Sequence, residues 1–480
     1  MLPFAGCIRH ICESRLFMPT CLYRALAACL LLLSASATAG MESLTNEDIS
    51  VQPIHVTSID SSTLSLPRAI ALGLESDPGV RGASLRLHAL NNEAVARGAL
   101  PDPRVSLMAG NLPVDSWSLD QEPMTQLSVG VQQAFPRGDT LRLKQLQTEQ
   151  RAKAQEWSRQ DRIARVKHAV SIAWLQVYRW QRTRRLLLDD RVLFDQLRDI
   201  ASARYRSTTG EARQQDVLRA ELELSRIDER LTALNGKLSM ARAALVEWVG
   251  TSGFLPVTEE VGLQAMFPSN WDGGLATLAS TELHPLIVDH PHLLAVQQHI
   301  SASDTEVDIV QQAYQPAWSV EARYGYRADD ALGNERADLF SVALSFDVPM
   351  FTASRQDRSV SAELARAEAA RTDYQLLLRQ WLRRLSSARD DSIQSDQRLQ
   401  LFRETLLPQA AFVAEAALNA YDNDDGDFVE VVRARITQLD LRIQAIELIV
   451  NRAAAIAEVQ YLTTNADSTA ANGLVTEVSS

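Results

Sequence analysis

Carboxylates crowd one short stretch of the chain, where five acidic residues fall within nine positions: Asp422, Asp424, Asp425, Asp427 and Glu430. Carboxylates attract cations and repel anions, so this stretch is a candidate for contact with cations. Asp216 is a candidate in an earlier, similar segment. The alternative interpretation is that Glu430 and Asp216 are solvated residues at helix starts, where the helix dipole favours an acid.

Histidines form a second candidate cluster, which holds four of the eight in the chain: His284, His290, His292 and His299. Imidazole binds Zn²⁺ and Cu²⁺, but this spacing matches no closed set of metal ligands. The pair His290-Pro291 is instead typical of the start of a helix. The sequence therefore predicts neither a metal site nor a bound cofactor.

Catalytic motifs are missing from the sequence, which has no phosphate-binding loop, nucleophile elbow or H-E-x-x-H motif. The sequence thus predicts a protein that is not an enzyme. The formal net charge of −12 argues against a nucleic-acid partner, which would require a basic face. After the N-terminus, no stretch has the roughly 18 apolar residues of a membrane-spanning helix.

A very long helical hairpin precedes the acidic stretch in the chain. Asp139 to about Ser207 contains no proline or glycine, and its apolar residues recur every three or four positions, which is the helical period. Gly210 marks the turn, and Glu211 to Trp248 forms the second arm. At about 1.5 Å per residue, an arm of about 70 residues is on the order of 100 Å long, which suggests a coiled coil or a spanning structure.

Four short segments instead alternate apolar and polar residues, and we predict strands there, of about 9–10 residues each in the first pair. Their apolar positions are Val105, Leu107 and Ala109; Leu127, Val129 and Val131; Trp318, Val320, Ala322, Tyr324 and Tyr326; and Phe340, Val342, Leu344, Phe346 and Val348.

The order of helices, strand pair and long hairpin occurs twice, which indicates an internal duplication. We place the first repeat at 64–250, a linker at 251–284 and the second repeat at 285–463. In the second hairpin, from Ser354 to Leu462, the turn Tyr421-x4-Gly426 matches Tyr205-x4-Gly210. Pro408 should kink its first arm or mark a local break.

The first 39 residues are predicted to be a signal peptide, with an Ala-x-Ala cleavage site ending at Ala39. A polar arm (40–63) follows it, and residues 464–480 are predicted to be a disordered tail. The four cysteines, Cys7, Cys12, Cys21 and Cys29, all lie in the leader, so no disulfide is expected after cleavage. The alternative is a lipoprotein signal, Leu26-Ala27-Ala28-Cys29, with a lipid on Cys29. Both interpretations predict export.

Strands of this length in an exported chain match membrane-spanning strands, with one face toward lipid and the other toward a lumen. Four strands cannot close a barrel, and open edges cannot lie in lipid. We therefore expect a mostly α-helical homotrimer in which each chain supplies four strands to a 12-stranded membrane β-barrel. The long hairpins would extend the pore as a periplasmic tunnel. A soluble sheet packed on one face is the alternative.

The chain resembles the TolC-like outer membrane efflux family over essentially its whole mature length. The resemblance rests on the duplicated order, on Leu64-Ser65-Leu66-Pro67-Arg68-Ala69-Ile70-Ala71-Leu72, on Leu100-Pro101-Asp102-Pro103, on Phe135-Pro136 and Val348-Pro349, and on the two Tyr-x4-Gly turns. It implies a passive exit duct in the outer membrane that works with a periplasmic adaptor and an inner-membrane resistance-nodulation-division pump. The stretch from Gly110 to Gly138 looks more like the branch paired with heavy-metal efflux pumps.

The resemblance also implies a gate at the periplasmic mouth. Tyr421 matches the gate tyrosine of the family, and Glu430 matches the first of two acidic positions that narrow the mouth. The second acidic position holds Arg433, and no gate arginine occurs from Asp422 to Phe428. An ion pair between Arg433 and an acid of a neighbouring helix is a hypothesis for locking the mouth.

The sequence leaves other functions open. The same fold could serve multidrug efflux or type I secretion. A periplasmic adaptor also carries a long hairpin, but it normally has only one, flanked by glycine-rich β domains. A structural coiled-coil protein of the envelope would not need the two strand pairs.

Overall fold

The computed structural model of the protein describes residues 63–206, 214–258, 282–423 and 425–465. The predicted signal peptide with Cys29, the arm up to residue 62, Gly210, Asp424, most of the linker and the tail from residue 466 lie outside the described residues. The described residues belong to one compact unit, Ser61–Ser480.

The first long hairpin consists of helix α3 (Thr140–Arg206) and helix α4 (Gln214–Val249), so both predicted arms are present. The 67 residues of α3 extend over about 100 Å at about 1.5 Å each. Its apolar stripe packs against α4 in the largest apolar cluster, where Val170 and Leu245 are fully buried. Helical periodicity thus places one stripe of α3 in the core.

Two short helices precede the first strand pair: α1 (Leu66–Ser76) and α2 (Pro78–Gly98). Ser76-Asp77-Pro78 predicts a helix break, because proline suits the first turn of a new helix, and the break between α1 and α2 lies at this point. Asp77 caps α2 by accepting a hydrogen bond of 2.7 Å from the Val80 N–H, and it also pairs with Arg162 of α3 at 2.7 Å. The cap therefore fixes the short helices to the long one.

The second repeat contains four α-helices within the described ranges: α5 (Pro291–Gln311), α6 (Gln356–Leu401), α7 (Leu407–Asp422) and α8 (Phe428–Leu462). A 3₁₀ turn occupies His284–Leu286, and α5 begins only at Pro291. A residue before proline disfavours the α-conformation, and His290 is extended (φ −68°, ψ 134°).

The predicted break near Pro408 takes the form of a single π-helical turn, Phe402–Leu406, between α6 and α7. Proline has no N–H to donate to the carbonyl four residues earlier, and its ring clashes with that carbonyl. The wider π-helical turn accommodates the missing hydrogen bond and the proline ring, and the helical arm continues beyond it as α7.

The four strands form one antiparallel sheet in the order β1-β2-β3-β4, with these bounds: β1 (Arg104–Gly110), β2 (Gln126–Phe135), β3 (Trp318–Tyr326) and β4 (Leu339–Phe346). The strands of the two repeats are thereby joined, because β2 pairs with β3. The first strand has seven residues, fewer than predicted. Pro103 precedes it, and Asn111 ends it with a left-handed φ of 52°.

None of the helices in the described ranges is long and apolar enough to cross a membrane.

Candidate functional site

The sheet exposes its apolar face. The register aligns Leu107, Val129, Tyr324 and Phe340 in one row across all four strands. Leu107 is 83% exposed and Phe340 70% exposed in the single chain. A soluble sheet would cover such a face with helices or a second sheet, so this face requires an apolar environment from outside the chain.

On the central strands β2 and β3, the polar face is the more covered of the two, whereas the edge strands β1 and β4 are exposed on both faces. Ser128 is 7% exposed, the Gln132 amide donates a 3.0 Å hydrogen bond to the Ser319 hydroxyl, and Arg323 pairs with Glu321 at 2.6 Å. A Cβ on Gly130 would lie 2.7 Å from the Ser106 Oγ and 3.1 Å from the Glu321 carboxylate. Glycine is therefore needed for this polar layer to lie flat on the sheet.

Two arginines join the loops at the far end of the sheet. The Arg336 guanidinium donates to the carbonyls of Asp120 and Glu122, each at 3.1 Å. The Arg327 guanidinium donates to the carbonyl of Pro123 at 3.3 Å. These contacts connect the β1–β2 loop with the β3–β4 loop, so the two repeats are also joined outside the strands.

The opposite end of the molecule, at the hairpin tips, holds Tyr421. Its ring is 6% exposed and lies 5.4 Å from the ring of Phe428. Burial raises the pKa of Tyr421; the Arg204 cation opposes that shift and the carboxylate of Asp216 adds to it. The structure therefore brings together two of the predicted residues, Tyr421 from the second hairpin and Asp216 from the first.

Arg204, which the sequence reasoning missed, connects the two tips. Its guanidinium lies 4.3 Å from the centre of the Tyr421 ring. It also donates to the carbonyls of Tyr421 at 2.7 Å and Asp422 at 3.0 Å. A cation at the C-terminal end of a helix is favourable, so Arg204 caps α7 from the other hairpin. The only sequence signal is that it precedes Tyr205 of the first Tyr-x4-Gly turn.

Glu430 and Arg433 lie on the exposed side of the tip. They form a 2.5 Å ion pair within the first turns of α8, and their side chains are 60% and 68% exposed. Among the described residues of the single chain, Arg433 pairs with Glu430 of its own helix, and the pair with a neighbouring helix stays a prediction. Asp427 caps α8 by accepting a hydrogen bond from the Val429 N–H at 3.1 Å.

Two of the clustered histidines, His290 and His292, lie far from the tip, where α3, α5, α6 and α8 meet. The Nδ1 of His290 accepts a hydrogen bond from the His292 N–H at 3.1 Å, which caps α5. The carboxylate of Asp161 accepts a hydrogen bond from the Tyr461 hydroxyl at 3.0 Å and lies 2.5 Å from Arg165. Within the described ranges, no three His, Cys, Asp or Glu residues are grouped to hold a metal ion.

This architecture, a four-stranded antiparallel sheet with a bare apolar face set on two long helical hairpins, defines the class: the chain has the fold of TolC-like outer-membrane channels. It is similar to CusC (TM-score 0.69, 14% identity, 83% of this chain and 92% of that chain covered). It is also similar to the outer membrane protein VceC from Vibrio cholerae (TM-score 0.68, 16% identity, 83% of this chain and 96% of that chain covered). A third similar structure is the outer-membrane channel OprN (TM-score 0.67, 17% identity, 83% of this chain and 89% of that chain covered). No family model and no curated protein matches the sequence.

Proposed function

We propose that the protein is a subunit of an outer-membrane channel that conducts substrates passively out of the cell. The sheet lies in the outer membrane in this proposal, and the hairpins form a tunnel in the periplasm. One observation carries the proposal: the sheet exposes apolar residues on all four strands, while on the central strands β2 and β3 the polar face is the more covered one. That polarity is the reverse of a soluble sheet and fits strands with lipid outside and a lumen inside.

The size of the apolar surface supports contact with lipid. Soluble monomers rarely expose contiguous apolar patches larger than about 300–600 Å². Here exposed apolar residues occur on every strand, including Val105, Leu127, Val342 and Leu344. The rings of Phe135 and Trp318 stack 4.1 Å apart at one end of the sheet, which suits a membrane interface, where aromatic residues are enriched.

Closure of the pore requires more than one copy. β1 and β4 are the edge strands of the sheet, and each therefore has a row of backbone groups without a partner strand among the described residues. Such edges cannot lie in hydrocarbon. Pairing β4 of one copy with β1 of the next in a homotrimer gives a closed barrel of 12 strands, because each chain supplies four.

The hairpins determine where the partners bind. Rods of about 100 Å reach from the outer membrane toward the inner membrane. We propose that their tips contact a periplasmic adaptor and, through it, a resistance-nodulation-division pump. The alternative that this chain is itself a periplasmic adaptor is disfavoured, because its two strand pairs form one sheet with an exposed apolar face. A structural coiled-coil protein is disfavoured for the same reason.

Heavy-metal cations are the proposed cargo. The tip is acidic on its exposed side, where Asp422, Asp425 and Asp427 accompany the exposed Glu430. Three copies of this acidic tip around a common axis, in which each Glu430 is paired with Arg433, would attract cations and repel anions. Lipophilic drugs and secreted proteins are the alternative cargoes for the same fold.

Two experiments test the proposal. Membrane fractionation tests the channel itself: we expect heat-resistant trimers in the outer-membrane fraction, and a monomer in the soluble periplasm would refute the channel. A deletion strain exposed to metal salts and to lipophilic drugs then tests the cargo. Sensitivity to metals alone, restored by the wild-type gene, supports cation efflux, whereas sensitivity to drugs indicates a multidrug duct.

Glu430→Ala complementation tests the selectivity residue, with Glu415→Ala as the matched control. Glu415 is an exposed glutamate on α7 of the same hairpin. We expect Glu430→Ala to restore metal resistance only partly and Glu415→Ala to restore it fully. Equal restoration by both variants would mean that Glu430 is simply a solvated acid at a helix start.

A further inference from the structure

The link between β4 and α6 is apolar and exposed. Val348 is 61% exposed, Met350 72% and Phe351 86%, and we call Val348–Phe351 the apolar link. The corresponding link of the first repeat is polar: there, Arg137 forms a 2.6 Å ion pair with Asp347. The apolar link is therefore a feature of one repeat only and is not required to connect a strand to a hairpin.

The apolar link continues the apolar face of the sheet. Phe135, Trp318 and Phe346 form one row across β2, β3 and β4 at this end. The Asp347 N–H donates a 2.9 Å hydrogen bond to the Ala317 carbonyl, so the pairing of β3 with β4 extends beyond the strand end. The apolar link begins directly after this pair, at the rim of the sheet.

Hydrogen bonds hold the other end of the apolar link near the same rim. The Tyr314 hydroxyl donates to the Asp357 carboxylate at 2.7 Å, which ties the start of α6 to the segment that precedes β3. The Thr352 carbonyl accepts from the N–H groups of Arg355 (3.2 Å) and Asp357 (3.1 Å). These hydrogen bonds hold the backbone of the apolar link in place, and its apolar side chains are exposed in that conformation.

Two arginines follow the apolar link. Arg355 and Arg358 are exposed, and neither forms an ion pair with another described residue. Apolar residues followed within one or two turns by cations suit a membrane interface, because the acyl region takes the apolar groups and phosphates attract the cations.

We propose that the apolar link inserts into the periplasmic leaflet of the outer membrane, at the boundary between acyl chains and headgroups. Met350 and Phe351 contact acyl chains, and Arg355 and Arg358 contact lipid phosphates. The proposal rests on the proposed channel function, since it takes the sheet to be in the membrane. It adds a lipid contact outside the strands, on one side of each subunit's sheet.

Spin-label accessibility tests the lipid contact. Residues 30–480 contain no cysteine, so single cysteines can be placed after replacing Cys7, Cys12, Cys21 and Cys29 by serine. The full-length protein carries Phe351→Cys or Arg358→Cys and is reconstituted in phosphatidylethanolamine–phosphatidylglycerol vesicles. Collisions with oxygen, which concentrates in the acyl region, are compared with collisions with a water-soluble nickel complex.

Two exposed positions serve as controls. Phe340→Cys lies on the apolar face of the sheet, and Leu332→Cys lies in the β3–β4 loop, where Leu332 is 88% exposed. We expect the oxygen-to-nickel ratio at position 351 to approach that at 340. The ratio at 358 should be lower, and the ratio at 332 the lowest.

The controls separate the two proposals. A nickel-accessible label at 351 with an oxygen-accessible label at 340 would overturn the lipid contact alone. A label at 351 that is inaccessible to both reagents and coupled to labels of other subunits would also overturn it, because the link would then pack between copies. A nickel-accessible label at 340 would refute the channel itself.

Discussion

His290 gives the stability of this protein a predicted pH dependence. Its ring is fully buried and lies 4.4 Å from the ring of Trp381 and 5.1 Å from that of Tyr461. Burial lowers the pKa of His290 from 6.5 to about 4. The folded protein therefore keeps this imidazole neutral, with Nδ1 free to cap α5.

The charged groups around His290 act in opposite directions. Asp161 of α3 raises the pKa of His290, whereas Arg165 of α3 and His292 of α5 lower it. In the same junction, the Arg384 guanidinium of α6 lies 5.7 Å from the centre of the Trp381 ring and 5.9 Å from that of Tyr461. His168 of α3 faces Glu458 of α8 at 3.0 Å. Burial is the largest of these effects on His290 and determines the direction of the shift.

The sign of the effect follows from proton binding. As the pH falls below 6.5, the unfolded chain protonates this histidine, but the folded chain does not until about pH 4. The unfolded state binds more protons in that window, so the free energy of unfolding falls as the pH is lowered. A shift of about 2.5 units at 1.36 kcal/mol per unit gives a loss of about 3 kcal/mol, with no further contribution above pH 7.

Chemical unfolding at pH 7, 6, 5 and 4, followed by far-ultraviolet circular dichroism, measures this loss. His290→Asn keeps a side-chain acceptor that can cap α5, but its amide does not titrate. Between pH 7 and pH 4, its free energy of unfolding should therefore fall by about 3 kcal/mol less than that of the wild type. Carboxylates that titrate in the same range affect both proteins equally. His88→Asn, at an exposed histidine of α2, should behave like the wild type. Identical pH profiles for the wild type and His290→Asn would refute the reasoning.

The remaining predictions concern the tip and the sheet. Arg204→Gln should weaken the contact between the hairpins by about 1–2 kcal/mol, because it removes a cation–π contact and a charged cap. Single-channel recordings should then show a higher conductance for Arg204→Gln than for the exposed control Arg219→Gln. Equal conductances of the two variants would contradict this role of Arg204. Gly130→Ala should destabilise the protein by about 1 kcal/mol, since its Cβ would lie 2.7 Å from the Ser106 Oγ and force that hydroxyl to move. Gly236→Ala, in α4 with no atom within 4 Å of the added Cβ, should instead stabilise the protein by about 1 kcal/mol. Trimer melting on gels compares the two alanine variants, and a lower melting temperature for Gly236→Ala than for Gly130→Ala would refute the packing argument.

Local sequence patterns determined the helices and strands of this protein. Helical periodicity without proline or glycine predicts the long arms, as in α3, because each apolar residue needs only its neighbours three and four positions away. Alternation predicts all four strands, although not the short length of β1. Asp77-Pro78 predicts the break between α1 and α2, and Pro408 predicts the break that the π-helical turn forms, since both act through the backbone of a single turn.

Only the tertiary structure determined which distant residues meet. The pairing of β2 with β3, in which Gln132 lies opposite Glu321, joins strands of different repeats, and no local pattern encodes that register. Arg204 reaches Tyr421 across 217 positions of the chain, and His290 is buried by Trp381 and Tyr461 from two other helices. Periodicity identifies the buried face of a helix, but the register between helices is fixed by the packing of side chains from separate hairpins. The sequence therefore predicted the rods, the strands and the acidic turn, whereas the tip contact, the buried histidine and the sheet order follow from how the two repeats pack together.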